Sequence, residues 1–159
     1  MHEEEKIYEV CWEGPYSKTN LSELTVEQNQ KFVLYKIYGS HHLYGNNVLL
    51  YIGMTEQNVT QRMSQHDYWM DEEHFGKSKI YFGSVGKFDN WKKSEEIDIF
   101  DLLESETIKK VESLLIYAHQ PVHNEKNRQS AEKTKNIRLF NTGNFGALMP
   151  EISGLYQDC

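Results

Sequence analysis

Apolar and polar residues alternate over 6–12, Lys-Ile-Tyr-Glu-Val-Cys-Trp, which predicts a strand broken by Gly14-Pro15. Residues 21–30 suit a short helix opened by Asn20 or Ser22. The run Lys-Phe-Val-Leu-Tyr-Lys-Ile-Tyr over 31–38 is strongly β-prone. Turn residues around Gly45-Asn46-Asn47 then separate it from a second apolar run over 48–52, so the two read as a hairpin with a longish loop. From 58 to about 70 the spacing is helical, with Asn58 or Thr55 as cap, and 79–85 is a third strand candidate. Between 97 and 119 apolar positions recur at helical spacing, with a second start near Ser105 and a stop at Pro121. Residues 124–136 are polar and expected to be mobile, and 137–140 reads as a closing strand before a glycine-rich tail.

This order predicts an α+β domain: a small antiparallel sheet of about three core strands flanked by helices. At 159 residues the chain has the length of one domain. Residues 1–30 are expected to pack on the core as an N-terminal extension. Residues 31–125 form the core, and 126–159 add a polar loop and C-terminal extension of the same domain. No segment approaches the roughly 18 consecutive apolar residues of a membrane span. The opening residues have no apolar run, and Cys11 and Cys159 lie at opposite ends without CxxC spacing. The expectation is a cytoplasmic protein with free thiols and no membrane partner.

Charge changes the picture only when divided along the chain. The net charge of −7 is unlike that of a typical phosphate binder. Yet residues 109–138 hold seven bases against three acids, while 67–108 hold eleven acids against five lysines. The bases are Lys109, Lys110, Lys126, Arg128, Lys133, Lys135 and Arg138. They could be ordinary solvated charge, or they could clamp a phosphate backbone. The acidic N-terminus and the 67–106 stretch would then face away from nucleic acid or meet a partner.

Few residues look able to carry chemistry. There is no Walker loop, GxSxG elbow or HExxH. His119 and His123 are four apart, but Pro121 between them argues against a shared helical face and hence a zinc site. What remains is Tyr35 and Tyr51 in successive predicted strands, Gly53 after the second, and Arg62 and His66 one helical turn apart. Glu112 sits among Val111, Leu114 and Leu115, where a carboxylate is costly unless paired, placed at a cleft or bound to a cation. Asn124 lies just beyond the proline.

In order, Val33-Leu-Tyr-Lys-Ile, Leu50-Tyr-Ile-Gly-Met-Thr, Val59-Thr-Gln-Arg-Met-Ser-Gln-His66 and Val111-Glu-Ser-Leu-Leu-Ile-Tyr-Ala-His-Gln-Pro-Val-His-Asn124 resemble the GIY-YIG nuclease family. The resemblance covers about residues 32–125. Two departures stand out: Val33 replaces the first motif's glycine, and Met54 stands where excision-repair members carry lysine. His66 is similar to the histidine of homing and restriction members. The family's first tyrosine aligns with Tyr35; the alternative, Tyr38, would lie on the strand's other face.

The resemblance implies a metal-dependent endonuclease that hydrolyses DNA phosphodiester bonds with one Mg²⁺, or Mn²⁺, held by Glu112. It implies Arg62 neutralising phosphate charge and Tyr35 activating or orienting water. Tyr51 and His66 would hold the network, and Asn124 would orient phosphate or the surroundings of Glu112. Gly53 is expected to let the backbone turn tightly. Cutting both strands would call for a homodimer or two binding events. The alternative is a nuclease-like nucleic-acid-binding or interaction module with little catalysis, which Val33 and the acidic charge favour.

Overall fold

The computed structural model describes residues 4–56, 58–64, 78–88, 103–131 and 133–158. Its sheet has six strands, β1 (Lys6–Tyr16), β2 (Leu34–His41), β3 (Gly45–Met54), β4 (Lys79–Lys87), β5 (Ile137–Gly143) and β6 (Glu151–Ser153), in spatial order β3-β2-β4-β1-β5-β6. It curls strongly, as a half-barrel, and is mixed: β1 runs parallel to β5 and every other pairing is antiparallel. Three α-helices accompany it among the described residues: α1 (Val26–Lys31), α2 (Val59–Ser64) and α3 (Ser105–His119). The α+β class is as expected, but a three-strand antiparallel core is not. The expected hairpin and third strand form β3-β2-β4, and the segments assigned to extensions supply the other three strands. β1 lies inside the sheet between β4 and β5.

The shortfall has local causes. Gly14-Pro15 does not end β1; the strand continues to Tyr16 through a register shift against β4. The described residues of 124–136, a segment expected to be mobile, are pinned. Ala131 is buried, Thr134 Oγ1 donates to Ala131 O at 2.7 Å, and Gln120 Nε2 donates to Arg128 O at 2.6 Å. The short helix predicted over 21–30 divides into a 3₁₀ segment, Lys18–Glu23, and α1, whose Thr25 and Gln28 form a reciprocal capping box.

β2 is covered on both sides, which is why its sequence is an unbroken β-prone run rather than an alternation. On one face Leu34 joins Val10, Trp12, Ile52 and the α3 residues Val111, Leu114 and Leu115. On the other Tyr35 and Ile37 join Phe32, Ile80, Phe82 and the α2 residues Val59 and Met63. Among the described residues no helix is long and apolar enough to cross a membrane.

Candidate active site

The site forms where β3, the edge strand, meets α2 and α3. Tyr35 of β2 pairs with Gly53 of β3. Gly53 has extended strand backbone rather than a left-handed turn, so the expected tight turn is not its role. A Cβ there would lie 2.5 Å from Tyr35 Cζ and 2.8 Å from Tyr51 Cε1. The absent side chain is the space into which the two tyrosine rings fit, with centroids 5.8 Å apart. Arg62, on α2, donates from Nε to Tyr35 Oη at 3.2 Å. That helix is started by Asn58, whose Oδ1 accepts from Gln61 N at 2.8 Å.

Glu112 stands on α3, on the other side of the sheet, and meets β3 at Met54, next to Gly53. In antiparallel pairing alternate residues of an edge strand turn their N–H and C=O outward. On β3 these belong to Leu50, Ile52 and Met54. Leu50 O accepts from His123 N at 2.8 Å. Ile52 N donates to Asn124 Oδ1 at 3.0 Å, and Ile52 O accepts from Asn124 Nδ2 at 2.9 Å. The Met54 backbone hydrogen-bonds the Glu112 carboxylate. The chain after α3 therefore closes the edge in series, and Glu112 takes the last place in the row.

Burial pushes the Glu112 carboxyl up to about 7, against the opposing pull of Arg62, the Met54 hydrogen bond, Lys109 and Lys126. Among the described residues no group of three or more His, Cys, Asp or Glu side chains comes together, so a cation held here would have Glu112 as its one protein carboxylate. Burial and Tyr51 together push the Tyr35 hydroxyl above its ordinary range, and Arg62 offsets them only in part. Tyr35 is therefore a neutral donor and acceptor here rather than a ready base.

Tyr35, Tyr51, Gly53 and Arg62 thus come together on the α2 face of the sheet, while Glu112 lies on the α3 face and is linked to them by the Met54 backbone and the charge of Arg62. His66 lies outside the described residues. Asn124 is buried, and its amide is spent on Ile52, so it braces β3 instead of facing a phosphate. Tyr38 is on the opposite face of β2, against Tyr81 and Lys36, away from Arg62. His119 is also committed: Nδ1 bonds Leu115 O at 2.9 Å and Nε2 accepts from Met149 N at 2.9 Å.

The basic residues divide. Lys109, Lys110, Arg128 and Lys133 line one polar cleft with Glu112, and Lys126 acts on Glu112 electrostatically. Lys135 is exposed outside that lining. Arg138, on β5, does not line that cleft and pairs with Glu5 at 3.1 Å and Glu151 at 3.4 Å. Sequence reasoning missed the Met54 backbone, because a main-chain donor is chosen by strand pairing and leaves no mark in residue type. Comparison with protein-family models, curated proteins and solved structures finds no match to this chain.

Proposed function

We propose that this protein is a divalent-cation-dependent endonuclease of GIY-YIG type that hydrolyses DNA phosphodiester bonds. The observation carrying the proposal is that Arg62 is bonded to one group and acts electrostatically on another of opposite use. Its Nε holds the Tyr35 hydroxyl, and its charge acts on the buried Glu112 carboxylate. Phosphodiester hydrolysis needs charge neutralised at phosphorus, an oriented water and a stabilised leaving oxygen. Arg62 would meet the phosphate oxygens with its forked donors. Tyr35, held neutral by burial, would orient the attacking water rather than deprotonate it, with the Tyr51 ring fixing its position. Glu112 would hold Mg²⁺ or Mn²⁺, which supplies positive charge to a nonbridging and the leaving oxygen when bound. His66 completes the motif by resemblance alone.

The second reading, a binding module with little catalysis, draws on Tyr35 itself: its residue is fully buried, which restricts access to a reacting water. The two readings part on one experiment. Plasmid and branched DNA are incubated with wild type and Glu112→Ala in Mg²⁺ or Mn²⁺. Cleavage by wild type, lowered about a hundredfold or more in the variant, is expected of the nuclease. Retained DNA binding without cleavage by wild type points to the module. Equal cleavage by both proteins removes Glu112 from the mechanism.

A further inference from the structure

A polar cleft of about 530 Å³ opens beside Glu112, between α3 and the chain from 125 to 133. Lys109 and Lys110 face it from the helix, Arg128 and Lys133 from the loop, and Glu112, Ser113 and Glu125 complete its polar lining. In a chain of net charge −7, cations usually find acids nearby, as Lys31 does with Glu13 and Arg138 does with Glu5. Lys109, Lys110 and Lys133 form no salt bridge with a described residue. Four cations from two separate segments thus share one concave space with two carboxylates, Glu112 and Glu125, among the described residues, and the excess positive charge is an arrangement that an external polyanion relieves.

The cleft wall is built rather than loose. Gln120, in the left-handed region at φ 50°, donates to Tyr117 O at 2.8 Å and Arg128 O at 2.6 Å, while accepting from Arg128 Nε at 3.3 Å. Asn127 and Lys133 are also left-handed, at φ 65° and 61°. The buried Ala131 anchors the far end. These contacts keep the loop cations opposite the helix cations before any ligand arrives.

We propose that this cleft is a backbone track for one nucleic-acid strand, holding the phosphates that adjoin the one placed between Arg62 and Glu112. The direction of the track rests on the nuclease reading; strand binding itself does not. Its lining offers charges and short polar groups but no aromatic face, so it grips phosphates without reading bases.

The test is fluorescence anisotropy with a labelled single strand of mixed sequence, in EDTA, across about 50 to 200 mM salt. Lys109→Gln/Lys110→Gln/Lys133→Gln is compared with wild type and with Lys87→Gln, an exposed lysine on β4. Neutralising three contacts is expected to flatten the log–log salt slope by about 2 and to weaken binding about tenfold at the low-salt end. Lys87→Gln should match wild type. Should the triple variant fail to melt cooperatively, Lys133→Gln alone serves, with a slope change of about 0.7. An unchanged slope in a folded cleft variant, or no strand binding by wild type, overturns the track. Strand binding that follows this pattern without cleavage in Mg²⁺ or Mn²⁺ would sink the nuclease reading and leave the track standing.

Discussion

Gly53 faces Tyr35 across the β2–β3 ladder, and two tyrosine rings occupy the space where its side chain would be. A methyl group there cannot be relieved by backbone retreat, because β3 is bonded to β2 on one edge and to Asn124 on the other. Overpacking of this sort costs about 1–3 kcal/mol. Gly53→Ala is therefore expected to lose that much stability in urea unfolding and to displace the Tyr35 hydroxyl from Arg62, lowering cleavage as well. Unchanged stability would show that the rings swing aside freely, and that their stacking is not what the glycine protects. The sequence placed this residue between a strand and a helix, where glycine commonly makes a turn. Its actual use depends on a cross-strand neighbour, which only the register of pairing reveals.

An edge strand must satisfy outward backbone groups, and β3 does so with the chain that leaves α3. Asn124 satisfies the Ile52 N–H and C=O with one side chain, as a neighbouring strand would with backbone. Asn124→Ala leaves both groups without that partner and is expected to cost about 1–3 kcal/mol in urea unfolding. Asn124→Asp keeps an acceptor for Ile52 N–H but sets a carboxylate oxygen against Ile52 O, so a loss at least as large is expected at neutral pH. If both variants instead leave the melt unchanged while weakening DNA affinity, Asn124 faces the substrate after all. The same closure explains which elements were legible. β2 is a continuous β-prone run, and β3, β4, α2 and the apolar stripe of α3 carry local signals of their own; Tyr35, Tyr51, Arg62 and Glu112 lie on these elements. The loop after Pro121 looked mobile because polar composition does not distinguish solvated residues from ones whose amides bond distant backbone. β6 escaped because three residues carry no usable period.

At the scale of the whole molecule, residues 144–149, which follow β5, are tied to the sheet and to α3 by polar groups from distant elements. Lys36, a fully buried residue of β2, donates from Nζ to Phe145 O at 2.6 Å and lies 5.0, 5.1 and 4.6 Å from the ring centres of Trp12, Tyr38 and Tyr81. Asn141 bridges Trp12 Nε1 at 2.9 Å to Met149 O at 2.8 Å, and His119 Nε2 accepts from Met149 N. Burial pushes Lys36 down to about 7; the carbonyl and ring faces work the other way by favouring the ammonium. Burial also lowers His119, with Lys36 adding to that effect and the Leu115 carbonyl opposing it. An unfolded histidine takes a proton near 6.5 and an unfolded lysine near 10.4. In both cases the unfolded chain binds the proton over a range where the folded one does not, so stability rises with pH there. The histidine contribution is lost as pH falls below about 6.5, and the lysine contribution grows from about pH 7 upward. Other groups titrate over the same range, so the reading lies in the difference between variant and wild type. His119→Gln should lose less stability than wild type between about pH 7 and pH 5. Lys36→Met should gain less than wild type between about pH 7 and pH 9, making it relatively most favourable in acid. Urea unfolding at intervals of pH measures both. Parallel curves for wild type and Lys36→Met would mean that the ring faces and Phe145 carbonyl keep the ammonium charged throughout, making the strap a cation cage rather than a titrating contact.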